Sequence, residues 1–141
     1  MLKLIRARRK NGEKGQALVE FTLLIPVFML LLFAIIDFGM GFYTWISVTN
    51  AAREGARLGV VMATEQQISD RVYQAASLPN EGTQMTVTVT NAQGQPGESV
   101  VVKVDYDYDL ITPLAGVVSF VSGDIIGPTL TFSSTAEMRL E

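Results

Sequence analysis

Cysteine and histidine are both absent from the 141 residues. Without cysteine no disulfide can close a loop, so whatever folds must be held by packing or by neighbours. Zinc sites of the usual His and Cys kind are excluded, as are catalytic dyads and triads built on either residue. Lysine is scarce as well: past residue 15 only Lys103 remains. A Ser-Lys dyad would have that one base, and it sits in a strand pattern. No glycine-rich phosphate loop follows a strand. The chain is not expected to be an enzyme, and no catalytic, cofactor-binding or metal-binding residue is assigned. Charge is missing from one further stretch, Phe21 to Ile36, where Thr22 and Pro26 alone interrupt the aliphatic and aromatic side chains.

That stretch organises the rest. With Ala17, Leu18 and Val19 it reaches the roughly 20 residues that a membrane-spanning helix requires. Residues 1 to 15 hold six of the 11 Lys and Arg against one of the 14 acids, leaving five basic and 13 acidic residues downstream, a net charge of −8. A basic cluster abutting a span places the N-terminus in the cytoplasm and the acidic remainder outside the inner membrane. Topology accounts for those charges, so no nucleic-acid partner is expected. A secretory signal would show a small-x-small cleavage site after its apolar core, whereas Asp37 to Phe42 offers bulky residues, so a retained anchor is expected. Phe42, Tyr43 and Trp45 have the composition of an interfacial aromatic belt. Pro26 frees a carbonyl in mid-span, which membrane helices tolerate.

A different processing pattern precedes the apolar core: a basic leader, then Gly15, then Gln16-Ala17-Leu18-Val19-Glu20, then Phe21. Gly15 with a glutamate at the fifth position after it resembles the type IV prepilin motif, in which a membrane-embedded peptidase cuts after the glycine. GQALVEF, the IIDFG that closes the apolar run, and NAAREGARLGV at Asn50 to Val60 together resemble the TadE-like family of pseudopilins in tight-adherence pilus systems. The resemblance covers residues 15 to 61. The major pilins of those systems commonly carry tyrosine after the glutamate and almost no globular part, so Phe21 and the long C-terminal region point to the minor, TadE-like branch. The resemblance implies cleavage between Gly15 and Gln16 by a prepilin peptidase. It also implies contact with other pilin or pseudopilin subunits through the N-terminal helix, and a place in the membrane or in an extracellular pilus.

A carboxylate in the middle of a span costs roughly 2.5 to 3.5 kcal/mol on insertion scales. Cleavage would remove the leader and leave a new amine on Gln16, about one helical turn from Glu20. A neighbouring subunit's amine can then neutralise Glu20 and fix the register of bundled helices, as buried polar residues do in coiled coils. The plainer alternative leaves Glu20 among the headgroups.

No strong breaker falls between Trp45 and Ala63, so the helix is expected to continue past the membrane. Ala52, Gly55 or Ala56, and Gly59 recur at spacings of three and four, with Gly55 and Gly59 in GxxxG spacing. Two partners fit so narrow a face: the chain's own sheet or a second subunit's helix. Arg53, Glu54 and Arg57 form a solvated edge. Thr64 to Gln67 fits a capping box that starts a second, short helix with Ile68, Val72, Ala75 or Ala76 on its apolar side. Pro79 to Gly82 is a turn cluster. From Met85 the period changes to two: Met85, Val87 and Val89, then Val100 to Tyr108, then Leu130 to Leu140, each with one apolar face. NAQGQPG at 91–97 turns the chain between the first two. The apolar connection 111–128 either covers a sheet edge or forms an exposed patch, with Thr112 and Pro113 starting a short helix. Asp105, Asp107 and Asp109 have the spacing that opens a calcium loop, but Leu110 and Gly116 occupy positions that need glycine and glutamate, and a strand would line these acids along its wet face.

The expected fold class is α+β: a long N-terminal helix packed against a small antiparallel sheet of about three strands. The expected divisions are a leader at 1–15, a transmembrane helix at 16–45, a helical extension with a short second helix at 46–78, and a β domain at 79–141. If Glu20 sets helix register, Glu20→Ala subunits are expected to be excluded from assembled polymer in cells that also make the wild-type chain. Equal incorporation, read by mass spectrometry of the polymer, leaves Glu20 in the headgroup region.

Overall fold

The computed structural model describes residues 2–78, 84–123, 125, 127 and 129–140, with side chains from Gly15 onward. The turn cluster at 79–82 lies mostly or wholly outside them, as do Ile126 and Pro128. Two compact units emerge, Met1–Ile36 and Asp37–Glu141. The first is helical throughout its described length, as part of helix α1 (Leu2–Val60). The charges of residues 1–15, with Gly12 and Gly15 at their end, suggest no stable structure there, yet residues 2–15 are helical too. Leucine, arginine, lysine and alanine are all good helix formers, and they outnumber the two interruptions at Asn11 and Gly12. Pro26 lies inside the helix. It cannot donate to the Thr22 carbonyl, and the Thr22 hydroxyl donates to the carbonyl of Leu18 at 2.8 Å.

In the second unit the remainder of α1 is followed by α2 (Glu65–Ala76), β1 (Met85–Thr90), β2 (Ser99–Asp109), α3 (Leu114–Ser122) and β3 (Thr129–Arg139). The strands form an antiparallel sheet in the order β1-β2-β3. Met85 stands opposite Tyr106 and Thr90 opposite Val101, while Ser99 stands opposite Arg139 and Asp109 opposite Thr129. The architecture is α+β, with the part of α1 that belongs to this unit, from Asp37 onward, packed on one face of the sheet.

The period-two pattern explains the sheet. Val100, Val102, Val104, Tyr106 and Tyr108 alternate along β2 and are all buried, joined by Met85 on β1 and Ala136 on β3. The intervening residues face water. There Asp107 accepts from the Thr131 hydroxyl and Asp109 from the Thr129 hydroxyl, each at 2.6 Å. Asp105 pairs with Lys103 at 2.8 Å. That ammonium, and after it Ser133, holds the Asp105 carboxyl below its ordinary range. The three carboxylates are thus spread along a ladder of cross-strand partners.

After Val60 the chain turns tightly, with Val61 and Met62 donating to Leu58 and Gly59 at 3.3 and 3.1 Å. Thr64 then opens α2 through the reciprocal capping box with Gln67. Ile68, Val72 and Ala76 are buried, at the i, i+4, i+8 spacing of one face. The 91–97 turn is closed by Glu98, whose carboxylate accepts from the Gln95 amide at 2.8 Å and the Asn91 side chain at 3.1 Å. The Gln95 bond, followed by that from Asn91, lowers its pKa.

The buried stripe of α1 follows one helical face: Asp37, Gly41, Thr44, Val48, Ala51, Ala52, Gly55, Ala56 and Gly59. A Cβ added at Gly55 would lie 2.4 Å from a Val72 methyl and 3.3 Å from Val102, and one at Gly59 would lie 2.9 Å from Val100. Both helix and sheet side chains are therefore already in contact where a methyl would go. Valine is β-branched and gives little at χ1. Gly55→Ala is expected to destabilise the chain by about 1–3 kcal/mol through overpacking. Gly39→Ala meets nothing within 4 Å and is expected to be neutral or to gain up to about 1 kcal/mol of helix propensity. Thermal unfolding of the full chain in detergent checks both; equal midpoints for the two variants would contradict the close approach.

Candidate functional site

In the first unit, every residue from Gly15 to Met29 is exposed. Leu18, Phe21, Leu23, Leu24, Val27 and Phe28 all present most of their side chains outward. The helix is long and apolar enough to cross a membrane, and none of its most apolar window is buried. Gly15, Gln16 and Glu20 lie within two turns of it. The Gln16 side-chain amide donates to the Glu20 carboxylate at 3.0 Å, an i,i+4 contact on one face. Among the described residues beyond its helical neighbours, no group comes within 4 Å of where a Cβ on Gly15 would be. The proposed processing residues and the carboxylate are therefore neighbours on an unobstructed helical surface, and the carboxylate is already engaged by the residue that would bear the new amine.

Ala52, Gly55, Ala56 and Gly59 are in the second unit, turned toward the chain's own sheet and α2. Glu54, on the neighbouring flank, takes a 2.8 Å bond from Arg71 of α2 and lies 3.6 Å from Arg57. The Arg71 hydrogen bond is the main cause that holds its carboxyl below the ordinary value. The charges of the AREGAR segment thus include a tie between the two helices as well as a solvated edge. Arg53 faces water.

The residue that sequence reasoning passed over is Asp37. It lies inside the segment assigned to the bilayer up to Trp45, yet the compact unit starts there. It is 2 % exposed. Its Oδ1 accepts from the backbone amides of Ile111 and Thr112 at 3.1 and 3.3 Å, and its Oδ2 accepts from the Thr112 hydroxyl. The Thr112 Oγ1 in turn accepts from the Leu114 amide at 3.2 Å. Tyr108 donates to the Asp37 carbonyl at 3.5 Å. One carboxylate thus satisfies the amides that leave β2 and sets the start of α3. The signal was present: Asp37, Gly41, Thr44 and Val48 extend the three-and-four spacing of Ala52 to Gly59 backward, but the local hydropathy hides it.

Beside this clamp runs an apolar groove of about 640 Å³. Phe38, Phe42 and Trp45 of α1 form one side, and Leu114 and Val118 of α3 with Phe132 of β3 form the other. Gly41 forms part of the floor, where Phe132 would lie 3.4 Å from an added Cβ. Phe42 and Trp45, expected as an interfacial belt, are groove walls that remain about half exposed or more.

Removing the clamp leaves two backbone amides without their acceptor, a loss of about 1–3 kcal/mol for a buried unsatisfied group. Asp37→Ala is expected to lower the thermal midpoint accordingly and to speed amide exchange at Ile111 and Thr112 selectively. Exchange unchanged at those two amides would contradict the role given to Asp37.

No curated protein and no solved structure matches the chain. A helix able to cross a membrane, continued by a face built for the chain's own sheet, fits a membrane-anchored protein related to tight-adherence pili. Residues 15–57, from the glycine of the processing motif to the last arginine of AREGAR, match the family model described as TadE-like protein, the family whose motifs the sequence resembles.

Proposed function

We propose that this chain is a TadE-like pseudopilin or minor pilin that contributes to assembly of a tight-adherence pilus. A prepilin peptidase removes the basic leader after Gly15. The apolar helix then holds the mature chain in the inner membrane, N-terminus at the cytoplasmic face and second unit outside, until it packs against the helices of other pilin subunits. No catalytic role is proposed.

The observation that carries this reading is the match over residues 15–57, which opens at Gly15 and takes in Glu20 five residues later. The continuous exposed surface around it supports the reading. A sixteen-residue run interrupted only by Thr22 and Pro26 and largely exposed needs either lipid or other helices, and one surface serves both in turn. Glu20 lies near the start of that surface, where a partner amine would find it. A second reading, an unpolymerised single-pass anchor that displays the sheet unit to an envelope partner, is favoured by the groove beside α3 but has no use for the Gly15 to Glu20 spacing.

Intact-mass measurement of the protein from membranes of cells with an active prepilin peptidase separates the two. A chain beginning at Gln16 is expected. A chain that retains its leader under those conditions overturns the pilin reading and leaves the anchor.

A further inference from the structure

Leu110 to Gly123 contains no charged residue, and α3, which occupies most of it, buries none of its side chains. Phe120 and Val121 are 88 % and 78 % exposed, and Ile125 just beyond is 87 % exposed. An apolar surface of this kind, continuous with the walls of the groove, marks a site of contact. Its position along the chain is fixed by the clamp, because Ile111 and Thr112 are bonded to Asp37. Asp37 directly follows Ile36, the last residue of the apolar run.

We propose that α3 lies in the outer boundary of the bilayer, with Phe120, Val121 and Ile125 among the ends of the acyl chains nearest the headgroups. The chain would then hold the membrane twice, by its span and by this side helix. The proposal rests on the reading that Phe21–Ile36 crosses a membrane. Four observations favour lipid over a second copy of the chain. The clamp ties the start of α3 to the first residue past the apolar run, and at 1.5 Å per helical residue Phe38 to Gly41 fall within about 8 Å of Ile36 along the helix. That distance is the depth of the headgroup region, about 5–8 Å on each side of the hydrocarbon core. Phe38 lies at this level, and Tyr43 and Trp45, about 10 and 14 Å beyond Ile36 along the helix, are of the residue types that settle at a membrane surface. A helix of nine residues is too short to cross a bilayer, which leaves only its surface region open to α3. Its lack of charge also leaves it without the groups that usually fix register between two proteins.

Because the chain has no cysteine, single-cysteine variants of the full chain report one site each. Leu24→Cys, Val121→Cys and Thr88→Cys are labelled with an environment-sensitive nitrobenzoxadiazole dye and reconstituted into phosphatidylcholine vesicles with and without nitroxide lipids, the nitroxide placed shallow for Val121 and Thr88 and deep in the acyl chain for Leu24. The Val121 label is expected to shift to the blue and to lose intensity to the nitroxides, as the Leu24 label does, while the Thr88 label on the wet face of β1 does neither. Adding Phe120→Asp to the Val121→Cys variant is expected to reverse its blue shift. Quenching at Leu24 with Val121 behaving like Thr88 overturns the proposal and leaves the span in place. Absence of quenching at Leu24 overturns the spanning reading and the proposal with it. A blue shift at Val121 that resists nitroxide lipids and fades as protein is diluted in lipid overturns it in favour of a second copy as the occupant.

Discussion

The closeness of α1 to the middle strand governs what the second unit can be. Two glycines let the helix settle until valine methyls of β2 and α2 touch its backbone surface, and every other residue on that face is small or short. With no disulfide available, this contact takes the place of a covalent tie. Dispersion and apolar burial both fall away when a surface is held even a fraction of an ångström out of contact. The sheet needs this cover as well, since the apolar side chains of its inner face would otherwise stay in contact with water.

One helix thus serves two different solvents. From Phe21 to Ile36 its side chains are mostly large, apolar and exposed, as a lipid or bundle surface has to be. From Asp37 the same helix keeps large residues on its outer side and turns small ones to the sheet. The change takes place within a single residue, and a carboxylate marks it. Asp37 can be buried there because three donors from the 111–112 segment meet it, which satisfies the condition for placing a charge out of water.

Much of this was legible in the residues. The strict alternation of valine and tyrosine with charged residues from Val100 to Asp109 fixes β2 and its inner face, and Thr64 with Gln67 marks where α2 begins. The α+β class and the helix-on-sheet packing follow from the change of period at Met85. The limits have physical causes. Hydropathy measures transfer from water without saying into what, so Gly41 and Thr44 score as membrane when the first lies against Phe132 of β3 and the second is buried in the second unit. Asp37 was visible as a break in an apolar run, but its partners lie more than 70 residues away, beyond the reach of local pattern. The three aspartates of β2 matched a metal-loop spacing because period two is also the period of a strand, and only the opposite strand shows that the hydroxyls of Thr129 and Thr131 donate to two of them. At the N-terminal site, Gly15 and Glu20 were legible through spacing alone, and the bond from Gln16 follows from i,i+4 geometry.

The continuity of α1 from the apolar run into the sheet contact has a consequence for how such chains can vary in length. A helix advances by about 100° per residue, so inserting or deleting one residue between Asp37 and Gly55 would rotate the clamp out of phase with the glycines, and no single rotation of the helix could restore both. Gains and losses of residues in descendants of this chain should therefore collect in the 61–64, 77–84 and 91–98 connections, with changes inside the helix limited to steps of three, four or seven.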